Sequence, residues 1–177
     1  AHDHAHGGTA HDHVHEGNDP HIWLAPGPLK AQARTIARTL VELDPAHRAD
    51  YERNLAATEA QLDAADREIR SLLRPYQGRM FFVYHPAWGY FADQYGLKQV
   101  AIEAEGKEPS DQEATALQKL ARQQGVKVVF VQPQIANRSA EAIARAVGAR
   151  AETLDPLAPD LPENLVRVAR AIADSYR

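Results

Sequence analysis

Beyond Pro75 and Gly78, short apolar runs take turns with helix-patterned segments, and that alternation restricts the second half of the chain to few architectures. Met80–Tyr84, Val100–Ile102, Val126–Val131 and Ala151–Leu154 are apolar runs of strand length without the alternation of a one-sided sheet, the signature of strands buried on both faces. Between them lie helical segments. Ala87–Tyr95 is stopped by Gly96, and Ser110-Asp111-Gln112-Glu113 has the form of a capping box that opens a helix ending near Gly125. A third helix runs from about Ser139 to Val147 before Gly148, and Pro162 begins a last one that reaches the C-terminus. Four strand–helix alternations predict an α/β lobe with a mostly parallel four-stranded sheet flanked by helices.

The residues before that lobe have a different texture. Leu29, Ala33, Ile36, Leu40 and Leu43 recur at spacings of three and four behind Pro26 and Pro28, giving a helix with one apolar face. Asp44-Pro45 punctuates it, and a second helix follows over 46–74, about 40 Å long at the α-helical rise. Its stripe of Tyr51, Leu55, Leu62, Ile69 and Leu73 is thin and its charges alternate in sign, which predicts a partly solvated strut. The boundaries read as 1–18, a histidine-rich segment; 19–45, a short helix; 46–74, the strut; and 75–177, the α/β lobe.

Seven of the nine histidines fall within the first 21 residues: His2, His4, His6, His11, His13, His15 and His21. The stretch to residue 18 has almost no large apolar side chains and cannot bury enough surface to fold alone. A purification tag is usually an unbroken histidine run; this one is punctuated by Asp, Gly and Ala. Alternate imidazoles with Asp3, Asp12 and Glu16 between them read as weak, multiple and poorly selective metal ligands. Two further candidates stand at strand ends, where open parallel sheets collect ligands: His85 after the first strand and Asp155 after the last. Taken singly, His85 reads as a helix-entry residue and Asp155 as a turn residue before Pro156. With His21 they form a plausible imidazole–carboxylate set for zinc.

Composition narrows the field. A net charge of −4 argues against a nucleic-acid-binding surface, and the absence of cysteine removes disulfide scaffolds, thiolate zinc sites and cysteine nucleophiles. No run of eighteen apolar residues is present to span a membrane. The first residues, Ala-His-Asp-His, include neither an initiator Met nor a basic-then-apolar leader, so the sequence reads as processed or partial.

Four motifs in order, DPHIWLAP, YHPAWGYFADQYGL, GKEPS and ETLDPL, resemble the zinc and manganese substrate-binding proteins of bacterial ABC importers, specifically the high-affinity zinc type with a histidine-rich loop. The resemblance covers everything from about Gly17 onward. It implies a two-lobed protein with a long linking helix, here 46–74, and with residues 19–45 as a remnant of the amino-terminal lobe. The metal would lie in the cleft and the loaded protein would dock on a membrane permease, in the periplasm or at the cell surface. By motif match His21, His85 and Asp155 are the implied metal ligands. Manganese-type relatives tend to carry a carboxylate at the position of His85, so imidazole there favours Zn2+ over Mn2+. The sequence departs from the family at Ala25, where an acidic residue is usual. It also lacks the lobe that supplies a further histidine, so it resembles the C-terminal portion only. A helix deprived of its lobe exposes an apolar face, which predicts self-association.

Two other functions compete. One is a manganese- or iron-type importer component, separable by metal competition. The other is a zinc hydrolase with Glu103, Glu105 or Glu108 as base, but no HExxH or comparable paired-ligand motif accompanies them, and these carboxylates read more simply as a solvated loop. Trp23, Trp88, Tyr90 and Phe91 read as packing around the cleft, Arg34, Arg38, Arg67 and Arg70 as solvated helix faces, and His47 as an exposed residue.

Overall fold

The computed structural model describes residues 19–104, 106–134 and 137–177. The histidines from His2 to His15, and Glu105, lie outside the described residues. A 3-10 turn, Ile22–Leu24, leads into α1 (Pro26–Leu43), and a second, Pro45–His47, turns the chain into α2 (Arg48–Leu73). The lobe then runs β1 (Met80–Val83), α3 (Gly89–Tyr95), β2 (Lys98–Ala101), α4 (Asp111–Gln124), β3 (Val128–Val131), α5 (Asn137–Ala146), β4 (Arg150–Thr153) and α6 (Leu161–Ser175).

All pairings in the sheet are parallel, in the order β2-β1-β3-β4. Side chains alternate across it, as a strand's period of two requires. Phe81, Val83, Val128 and Phe130 join one core with Leu73 of α2, Phe91 of α3 and Leu165 of α6. Phe82, Tyr84, Val129 and Val131 join another with Ala121 of α4 and Ala144 of α5. Both faces are covered, which is why the strands carry continuous apolar runs. The expected strands are all present with their bounds displaced. β2 begins at Lys98, two residues earlier than the apolar pattern suggests, because Lys98 and Gln99 pair in register with Met80 and Phe81 at the edge of the sheet.

Local signals account for the helix ends. Ser110 accepts from the Glu113 backbone while Glu113 reaches back to the Ser110 N–H, the expected capping box. Ala25 caps α1 with no side-chain bond. The amide of Gly27 is satisfied instead by Gln94 Oε1 of α3, at 3.0 Å, so the α1 entrance is tied to the lobe.

Leu62, Ala65, Ile69 and Leu73 of α2 are buried, whereas Tyr51 and Leu55 at its start are only partly covered. Along α1 the apolar face emerges into solvent: Ile36 is 58% exposed and Leu43 79%. None of the described helices is long and apolar enough to cross a membrane.

Candidate metal centre

The chain leaves β1 towards β2 on one side and β3 towards β4 on the other. The crevice outside the carboxyl ends of β1 and β3 is therefore the topological switch point, where an open parallel sheet accepts ligands. His85 follows β1 at that point, and Gln132 to Gln134 follow β3.

His85 is oriented by Glu103. The Glu103 backbone N–H donates to Tyr84 O at 3.0 Å, continuing the β1–β2 ladder, and its carboxylate accepts from His85 Nδ1. Glu103 is 8% exposed, so it is buried rather than part of a solvated loop as expected from the sequence. The parallel ladder carries it inward, and its charge is held against an imidazole as burial demands.

His21 lies beside His85 under the same arrangement. Asp19 Oδ1 accepts from both the His21 backbone N–H, at 2.9 Å, and His21 Nδ1, at 2.7 Å. The two imidazole centroids are 5.3 Å apart, with ring planes at 79°. A carboxylate can only accept, so Nδ1 of each ring is the donor, and Nε2 is the atom that a neutral ring would offer to a metal. Carboxylate-backed imidazoles of this kind orient the ring and raise its basicity towards a metal.

Asp155 stands at the end of β4 on the adjoining loop. Its Oδ1 accepts from Gln134 Nε2 at 2.7 Å and from the Leu157 N–H at 3.0 Å, while its backbone carbonyl accepts from Asn164 Nδ2 at 2.7 Å. Trp23 ties this loop to the His21 turn by donating from Nε1 to Pro156 O at 2.9 Å. Of the three expected ligands, the structure thus brings His21 and His85 together. Among the described residues, no three His, Asp or Glu side chains converge as a closed metal cage.

The remaining expectations divide. Trp88 and Phe91 are core residues, whereas Tyr90 donates its hydroxyl to Asp19 O at 3.3 Å and so belongs to the His21 support. Arg34 pairs with Glu59, and Arg70 pairs with Asp66 while lying over the Tyr95 ring. His47 is exposed and paired with Asp44. Sequence reasoning missed Asp19, and it missed the Glu103 contact with His85. It also missed Gln132, which is 8% exposed with its amide nitrogen lacking a partner among the described residues. Asp19 was within reach, since an Asp side chain commonly accepts from the backbone N–H two residues on, as it does here. The Glu103 contact needed the β1–β2 register.

A doubly wound parallel sheet with polar side chains gathered at its switch point defines an α/β ligand-binding lobe. The profile of the zinc-uptake complex component A family, described as periplasmic, matches residues 1–176, and the chain belongs to that family. That family comprises substrate-binding components of uptake systems and no enzymes, which sets aside the hydrolase reading. Over 158 residues the chain is 34% identical to the high-affinity zinc uptake system protein ZnuA of Yersinia pestis, covering 88% of this chain and 50% of that protein. It is similar to a crystal structure of ZnuA with a TM-score of 0.85 and 48% identity, covering 90% of this chain and 62% of the other. It is also similar to Zn(II)-bound AdcAII, in an E280Q variant from Streptococcus pneumoniae, with a TM-score of 0.79 and 27% identity over 90% of this chain and 61% of that one. The chain spans about half the length of the curated relatives it matches.

Proposed function

We propose that this chain captures zinc with His21 and His85 and hands it to the permease of an ABC-type importer, working in the periplasm or at the cell surface. The observation that carries the reading is the pair of imidazoles whose Nδ1 atoms are both engaged by carboxylates. Two neighbouring imidazoles, 5.3 Å apart between centroids and each held at Nδ1, suit a borderline cation with tetrahedral preferences through Nε2. Asp155 is the third ligand. Gln134 and Leu157 hold its Oδ1, which would orient the other carboxylate oxygen as the ion draws the loop in. A fourth position is left for water, a histidine of residues 1–18, or a group from outside this chain. Imidazole at residue 85 favours zinc over manganese, and competition between the two ions on one preparation distinguishes them.

In this reading residues 46–74 link the lobe 75–177 to a partner lobe, and 19–45 is the part of that partner present here. The exposed Ile36, Leu40 and Leu43 make self-association the expected behaviour of this chain in isolation. The histidines from His2 to His15 act as a weak collector that raises the local zinc concentration. Release follows from protonation: imidazole ligands compete with protons for zinc, so affinity falls as pH drops from about 7 towards 5.

The test is a zinc titration against a competing chelator on the chain, on His21→Ala and on His85→Ala. One tight equivalent lost in each variant, above weaker equivalents that remain, is the expected result. Identical titrations for all three proteins would refute the cleft assignment.

A further inference from the structure

We propose that Gly89 is a positioning residue for His21, acting through Asp19; the proposal rests on the reading of His21 as a zinc ligand. Gly89 opens α3, four residues after His85 on the same segment. A Cβ placed on Gly89 would lie 2.7 Å from Asp19 Oδ2 and 3.9 Å from Asp19 Cγ, with no other atom of the described residues within 4 Å beyond its chain neighbours and its own helix backbone. That separation is closer than a carbon and an oxygen tolerate, and among the described residues the group a methyl would displace is the Asp19 carboxylate. The other oxygen of that carboxylate holds the His21 ring at Nδ1 and its backbone N–H.

The next residue completes the seat. Tyr90 donates its hydroxyl to the Asp19 carbonyl at 3.3 Å, so the first two residues of α3 receive Asp19 on its side chain and its backbone. Nothing else at this position asks for glycine. Gly89 is not among the glycines with positive φ, and it occupies a helical position where alanine is the better helix former. A glycine whose missing side chain is filled by a carboxylate has the close-approach role that glycine alone permits. Because His85 and Gly89 share one short segment, this contact sets the His21 ring against the His85 ring. The chain thereby links two ligands 64 positions apart through one absent Cβ.

The experiment uses the full 177-residue chain as wild type, Gly89→Ala, Asp19→Ala and the double variant. Zinc affinity is read by chelator competition. In the metal-free protein, imidazole 15N spectra at fixed pH read which nitrogen of His21 carries the proton. Gly89→Ala is expected to weaken zinc binding about tenfold, the lower end of what a lost partner of a metal-bound histidine costs. It should also release the His21 Nδ1 proton from its fixed state. In the Asp19→Ala background the same substitution should change neither readout, since the methyl then has room. An affinity within about twofold of wild type, or an equal loss in both backgrounds, overturns the proposal. Should Gly89→Ala fail to fold, a folded double variant still supports a clash with Asp19, and two unfolded proteins overturn it. If wild type and His85→Ala bind zinc alike, the zinc reading has failed, and the metal-free spectra decide the Gly89–Asp19 contact on their own.

Discussion

Removing the carboxylate behind His85 tests whether that histidine is built to bind metal or merely to close a helix entrance. In Glu103→Ala the β1–β2 ladder stays intact, because Glu103 joins it through its backbone N–H. What is lost is a charge-assisted bond to His85 Nδ1 from a side chain only 9% exposed. Bonds of this class contribute about 1.5–3 kcal/mol net. The His85 side chain is 31% exposed, so its Nδ1–H recovers part of that from water. The remainder, about 2 kcal/mol, corresponds to roughly 30-fold in zinc affinity, within the range found for partners of metal-bound histidines. Glu103→Gln keeps an acceptor of the same shape without the charge, and a loss of only about threefold to tenfold is expected. Chelator competition at constant pH, with circular dichroism to establish folding, provides the assay. A folded Glu103→Ala protein with unchanged zinc affinity would refute the reasoning, because His85 would then need no oriented lone pair.

Three further outcomes follow from the same structure. Burial raises the Asp66 pKa, but hydrogen bonds from Arg70, Tyr95 and Gln94 outweigh it and hold the carboxyl below the usual range; its contribution is present above about pH 4 and lost as pH falls through the lowered value. Acid denaturation of Asp66→Ala should therefore show a shallower loss below pH 4 than wild type, from a lower starting stability. Burial pushes Tyr176 up to about 12, and its hydroxyl has no partner among the described residues, so stability present below about pH 10 is lost as pH rises towards that value. Tyr176→Phe should match or exceed wild type in urea denaturation at pH 7 and remove that alkaline loss. Replacing Ile36 and Leu43 with lysine should change folding stability by no more than about 0.5 kcal/mol, since both are exposed, and should shift sedimentation towards monomer. Unchanged sedimentation would mean that the α1 face is not the contact.

The architecture was largely legible in the chain because each local signal agreed with the layer it had to form. Four apolar runs separated by capped helices allow little but a parallel sheet covered on both faces, and Ser110 and Glu113 form the capping box their spacing announces. Boundaries moved where pairing, not hydrophobicity, sets the strand: Lys98 belongs to β2 because Met80 lies opposite. The site was legible only in part. His21 and His85 stand at positions that strand ends and motif spacing single out. Glu103 looked like one acid of a solvated loop because nothing local reveals that the register turns it onto His85. Asp155 marks the opposite case: its place after β4 was readable, but its engagement by Gln134 depends on the neighbouring strand's loop. Gly89 offers no positive signal at all, since its contribution is the absence of an atom.

The most direct test of the central claim is a zinc-edge anomalous diffraction map from crystals of the chain grown with one equivalent of zinc. The expected peak lies between His21 and His85, at about 2.0–2.1 Å from both Nε2 atoms, with Asp155 drawn towards it. A peak elsewhere, with the two imidazoles still bound only to Asp19 and Glu103, would contradict the claim that these carboxylate-backed histidines form the capture site.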